Sequence, residues 1–132
     1  MRPVLLLQAA LLAAAALCAV PAGAQSMTPM RGSVSSLTDE FAVRVFPRNP
    51  YRHPIEVAVR VYDEHFRPVE ARVSPPFMKL GGGASRPVVV VVDFGPEKER
   101  RVRICTESVP FPEGKTRIRA QICGRFLARR LY

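Results

Sequence analysis

The sequence predicts an all-β fold, a single immunoglobulin-like antiparallel β-sandwich of about seven strands. Three observations carry that reading. Apolar and polar residues alternate in short runs, the period of a half-buried strand. Turn-forming clusters drawn from 13 prolines and 8 glycines separate the runs at short intervals. Beyond residue 24 no stretch carries the 3.6-residue period of an amphipathic helix. The chain has no tryptophan, so the sandwich lacks the central pin of antibody domains.

The chain begins with one charge, Arg2, followed by an apolar run from Val4 to Val20 and the small-residue end Pro21-Ala22-Gly23-Ala24. These are the parts of a secretory signal peptide, with cleavage expected after Ala24. Residues 1–24 are read as the signal and 25–132 as one domain, which sets the expected mature domain outside the cytoplasmic membrane. The run is near the length of a short membrane span, but no stop-transfer flank follows it, so stable membrane insertion is not expected. Cys18 leaves with the signal, and the large Leu17 before it does not suit a lipoprotein site. Two cysteines remain, an even number in a setting where disulfides persist. The formal charge of +9 becomes +8 without Arg2. Such a charge favours anionic partners. Export and the few aromatics among the basic residues argue against nucleic acid. Arginines alternating along strands also describe a plain solvated sheet face.

A first short strand is expected around Met30–Ser36. Phe41–Phe46 is the second, stopped by Pro47-Arg48-Asn49-Pro50. Ile55–Tyr62 is the clearest, with Ile55, Val57, Val59 and Val61 on one face. The turn Asp63–Pro68 follows, then a short strand over Val69–Val73. Two prolines keep Ser74–Leu80 out of a sheet centre, so it reads as an extended crossover with Phe77, Met78 or Leu80 beneath the sheets. Gly81-Gly82-Gly83 is a flexible loop without the lysine and hydroxyl ending of a phosphate-binding loop. The unbroken run Val88–Val92 suits a strand covered on both faces or set in a sandwich core.

The last two arms alternate. On the first, Val102 and Ile104 oppose Arg101, Arg103 and Cys105. On the second, Arg117–Cys123, Ile118, Ala120 and Ile122 oppose Arg117, Arg119, Gln121 and Cys123. Cys105 and Cys123 lie nine residues either side of Gly114. A hairpin folded there sets them opposite one another on the arginine face, close enough for a disulfide. The alternative is two free thiols that match by chance.

Nothing in the chain points to an enzyme, a metal or a cofactor. His53 and His65 lie in turns without ligand spacing, and the serines lack a nucleophile-elbow setting. Asp63 and Glu64 read as a solvated turn pair. A disulfide at Cys105 and Cys123 leaves no thiol nucleophile.

The order of motifs resembles a known family. Pro29-Met30-Arg31 stands near the expected mature start, and Asn49 follows the second strand. A valine-rich strand then ends in Val61-Tyr62-Asp63. Val73-Ser74-Pro75-Pro76-Phe77-Met78-Lys79-Leu80 precedes a glycine, and Val88–Val92 leads to Glu99-Arg100-Arg101-Val102-Arg103-Ile104-Cys105. This order is similar to the N-terminal domain of PapD-like periplasmic pilus chaperones. The resemblance implies capture of a pilus (fimbrial) subunit by β-strand addition, in which a chaperone strand completes the subunit's open sandwich. It assigns Ile118, Ala120 and Ile122 to the strand-addition surface. It assigns Arg31, with a second basic residue on the last strand, to the subunit's C-terminal carboxylate. A direct overlay puts Leu127 in the second place, and Arg125 is the nearest basic residue. Some members also join their last two strands by a disulfide. The family's chaperones have two domains, and this chain ends after one. That leaves a stand-alone relative, a domain that assembles with itself or a second immunoglobulin-like chain, or a truncated product. The other reading is a basic periplasmic module that meets anionic envelope components through its arginine face.

Overall fold

A computed structural model of the chain describes residues 26–110, 113–114 and 118–132. The expected signal peptide, 1–24, lies outside the described residues, as does Arg117. Among the described residues the strands are β1 (Ser26–Thr28), β2 (Arg31–Ser36), β3 (Glu40–Arg48), β4 (Ile55–Tyr62), β5 (Arg72–Ser74), β6 (Phe77–Leu80), β7 (Val88–Asp93), β8 (Glu99–Ser108) and β9 (Ala120–Arg130). They form two sheets, in the order β1-β3-β7-β5 and β2-β9-β8-β4-β6. None of the described elements is a helix long and apolar enough to cross a membrane.

Alternation builds the core. β4 buries Ile55, Val57, Val59 and Val61, β7 buries Val88, Val90 and Val92, and β8 buries Val102 and Ile104. Each such side chain contributes about 1.5–3 kcal/mol by leaving water. Phe41 and Phe94 meet between the sheets with ring centroids 4.9 Å apart, and Phe126 and Ala128 of β9 complete the layer. The valine run lies at the centre of its sheet, between β3 and β5. Its outer residues Val89 and Val91 are half-buried, so that face is covered only in part.

Three polar side chains lie inside among the described residues: Asn49, Thr106 and Ser108. Asn49 is fully buried. Its Nδ2 donates towards the carbonyls of His53 (2.8 Å), Leu80 (3.0 Å) and Gly81 (3.1 Å), and its Oδ1 accepts from the Tyr51 N–H at 2.9 Å. It joins the end of β3 to the end of β6 and is itself fully hydrogen-bonded, as a buried amide must be. The glycine loop is built for packing. A Cβ on Gly82 would stand 2.3 Å from the Arg52 carbonyl oxygen, and Gly83 takes φ +71°.

The structure corrects the expected strand count and the purely antiparallel pairing. The opening segment makes two strands. β1 pairs antiparallel with β3, then the chain crosses at Pro29 and β2 joins the other sheet. Because the chain keeps its direction while changing sheets, β2 meets β9 in parallel. β3 runs through Pro47. Its ladder with β7 ends at Val45↔Val88, so the absent N–H breaks no bond there. The strand expected over Val69–Val73 is displaced to Arg72–Ser74, since Pro68 makes only an isolated bridge to Tyr62. After Pro75 and Pro76 the expected crossover becomes an edge strand, β6, paired to β4. Met78 and Leu80 are buried, whereas Phe77 is 68% exposed.

Candidate functional site

The site begins with the β8–β9 hairpin. Its rungs run from Glu99↔Arg129 to Ser108↔Ala120 and centre on Gly114, so Cys105 faces Cys123 directly. The two are joined by a disulfide with the Cα atoms 4.0 Å apart, the narrow spacing of a non-hydrogen-bonded antiparallel pair. At such a rung the N–H of Cys123 points away from β8, as do those of Gln121 and Arg125 by the alternation of the ladder. The Arg125 N–H accordingly donates to the Met30 carbonyl at 2.9 Å, on the β2 side.

That second side of β9 is only half occupied. β2 covers Arg125 to Arg130 and reaches no further. The approach to β2 closes over Gly124, where a Cβ would lie 3.1 Å from both the Met30 carbonyl oxygen and Met27 Cε. From Cys123 back to Ala120 no described strand pairs with this side, and the donors of Gln121 and Cys123 face it. Ala120 and Ile122 share the face of Phe126 and Ala128 but are only half-buried. Ile118, just before the strand, is 61% exposed. The core-facing stripe of β9 thus continues past the point where the opposite sheet covers it.

Two rungs fasten this open half to β8. One is the disulfide. The other joins Gln121 to Glu107, with Gln121 Nε2 donating to Oε1 at 2.9 Å. Glu107 also accepts from the Tyr62 hydroxyl at 2.7 Å and lies 3.3 Å from Arg60 Nε. The hydrogen bond to the Glu107 carboxylate, helped by burial, raises the Tyr62 pKa above that of a free tyrosine.

The open edge ends at a row of arginines. Arg31 is the rung partner of Arg125, and Arg125 that of Arg103. Direct rung partners point to the same face of a sheet, here the outer one. Arg101 stands one outward position along β8, opposite Leu127. The four arginines line a groove of about 590 Å³ together with Glu64. Arg101 has Glu99 at 3.7 Å. Among the described residues Arg31, Arg103 and Arg125 have no carboxylate within 4 Å.

The residues singled out in the sequence therefore fall into one region. Ile118, Ala120 and Ile122 lie along the open half of β9, Arg31 and Arg125 at its closed end, and Cys105 and Cys123 between them. Leu127 stands two residues beyond Arg125 on the same outer face. Sequence reasoning missed Arg101 and Arg103. Their alternation on the outer face was visible, but not that the face continues onto Arg125 and Arg31. Of the two histidines, His53 Nε2 is 2.6 Å from the Pro110 carbonyl oxygen, and His65 is 4.0 Å from Glu64, which lines the groove. Among the described residues no His, Cys, Asp and Glu cluster could hold a metal ion.

No family model and no curated protein matches the chain. Solved structures do. The structure of the Salmonella enterica SafA pilin in complex with the SafB chaperone matches at TM-score 0.68 and 19% identity, over 86% of this chain and 57% of that one. The E. coli chaperone DraB matches at TM-score 0.68 and 20% identity, over 82% and 56%. The CsuC–CsuE chaperone and tip adhesion subunit complex of Acinetobacter baumannii matches at TM-score 0.61 and 16% identity, over 82% and 57%. The chain thus spans little more than half the length of these chains. It also matches 98% of SSP-19, an MSP-domain-like protein of Caenorhabditis elegans, at TM-score 0.53 and 15% identity. At these identities the likeness is one of fold: the chain is an all-β immunoglobulin-like sandwich of the kind shared by pilus-chaperone structures.

Proposed function

We propose that the protein is a periplasmic chaperone or accessory factor that captures pilus-type subunits by β-strand addition. One observation carries this reading: the unpaired edge of β9 runs directly into the Arg31↔Arg125 rung. An open edge with a half-exposed apolar stripe offers main-chain bonds and side-chain contacts to an incoming strand. The arginine rung at its end offers charge-assisted bonds to a terminal carboxylate. Together they set the direction of the guest. A strand whose C-terminus rests at Arg31 and Arg125 runs parallel to β9 and ends where β2 begins. In that position the guest extends the line of β2, which is itself parallel to β9. SafB and CsuC were solved in complex with a pilin and a tip adhesion subunit, which accords with a protein partner. The action is binding, with residues 1–24 serving as the export signal.

A basic module for anionic envelope components would use the arginine groove but leave the open edge without a role. The test is capture from periplasmic extract of the host, with partners identified by mass. The reading expects a small sandwich protein with an alternating apolar C-terminal strand, lost on Arg31→Glu. Salt-eluted polymers alone, or unchanged capture by Arg31→Glu, would overturn it.

A further inference from the structure

The arginine row is longer than a single carboxylate needs, and its third member is held in an unusual way. Arg103 stands on the far side of Arg125 from Arg31, in the same rung row and the same groove. Its guanidinium lies over the Phe66 ring, 4.3 Å from the centroid, and its Nη2 donates to the Glu64 carbonyl at 3.3 Å. Neither partner cancels the charge. Its Nε is buried with no hydrogen-bond partner among the described residues. Phe66 itself adopts φ 58°, a left-handed conformation that is a true outlier for a bulky side chain. It is 50% exposed, so burial of its ring does not account for the strain. The turn enforces it instead. Asp63 accepts from the N–H groups of His65 and Arg67 through Oδ1 and from Phe66 through its carbonyl, and its own N–H donates to the Arg67 carbonyl. A strained residue held by its surroundings next to a groove is a mark of a functional site.

Resting on the strand-capture reading above, we propose that Arg103, clamped by Phe66, is a third anion-binding arm of the groove. The favoured guest is a chain whose last residue is itself acidic. Its α-carboxylate takes the Arg31 and Arg125 rung, and its side-chain carboxylate takes Arg103. Strands lie about 4.8 Å apart, so Arg31 and Arg103 are about 10 Å apart across β9, a gap that an acidic side chain and an arginine close between them. Two carboxylates then meet three cations that have no carboxylate within 4 Å among the described residues, with Glu64 the one acidic residue in the groove's lining. Phe66 is a positioning residue: it holds the guanidinium over the groove and lowers the conformational freedom lost on binding.

The test uses two synthetic peptides of one alternating apolar sequence, ending in Asp or in Asn, both with free carboxyl termini. Affinities are measured for the full chain and for Arg103→Gln and Phe66→Ala. The parent should bind the Asp-ending peptide about tenfold tighter, the low end for a charge-assisted bond in a part-exposed groove. Arg103→Gln should erase that preference and leave the Asn-ending peptide unaffected, and Phe66→Ala should narrow it. Equal affinity of the parent for both peptides, a comparison that needs no variant, overturns the inference while leaving strand capture standing. So does a preference that survives Arg103→Gln. Failure of the parent to bind either peptide overturns strand capture, and this inference with it.

Discussion

Replacing both Cys105 and Cys123 by alanine should lower stability by about 3 kcal/mol. The bond closes a loop with a sequence separation of 18, and the chain-entropy relation for a loop of that size gives that figure. For a small domain with a total stability of about 5–15 kcal/mol, this is a large share. The site of the effect follows from the register. The disulfide rung lies in the half of β9 that has β8 on one side and no described strand on the other. Its loss should therefore loosen Ala120–Cys123 before it loosens Arg125–Arg130, which β2 also holds. The assay is urea unfolding followed by circular dichroism, with the oxidised parent, the reduced parent and the double variant compared. With a denaturant slope of about 1–3 kcal/mol/M, the midpoint should fall by about 1–3 M. The reduced parent should follow the double variant. An unchanged midpoint in both would refute the reasoning, because it would mean that the remaining rungs already fix the hairpin in the folded and unfolded chain alike.

Asn49→Ala should cost about 3 kcal/mol in the same assay, since it removes the side-chain hydrogen bonds to the His53 and Leu80 carbonyls and from the Tyr51 N–H. Ile122→Asp should abolish peptide capture while moving the unfolding midpoint little, because Ile122 is only half-buried in the free protein. Tyr62 should titrate above the usual tyrosine value when followed by ultraviolet absorbance, and Glu107→Gln should bring it down. Its raised pKa means that the folded state favours the neutral phenol. That contribution is complete below the ordinary value near pH 10 and is lost as pH rises through the folded value.

The parts legible in the sequence were those in which local pattern and tertiary role agree. The mirror placement of Cys105 and Cys123 about Gly114 yields the hairpin register because a turn fixes the register of its two arms. Ile55–Tyr62 alternates cleanly because one of its faces is core and the other solvent. The three-residue strands β1 and β5 are too short to show a period, and β6 follows two prolines that argue against a strand. The second half of β9 is blurred by Leu127, an apolar residue on the outer face between Phe126 and Ala128. The β2–β9 pairing joins residues far apart in sequence, and no local signal marks it. That pairing is what makes Arg31 and Arg125 neighbours and leaves Ala120–Cys123 open. The strained Phe66 turn, and with it the setting of Arg103, depends on contacts between separate strands and was equally hidden.

The proposed capture surface is the free edge of β9. Amide hydrogen exchange, read residue by residue with and without an alternating apolar peptide bearing a free C-terminal carboxylate, tests it directly. Gln121 and Cys123, whose N–H groups face the open side, should exchange quickly in the free protein and slowly in the complex. Ile122, whose N–H already faces β8, should change little. Protection appearing along β6 or β5 instead, with Gln121 and Cys123 unchanged, would contradict the account.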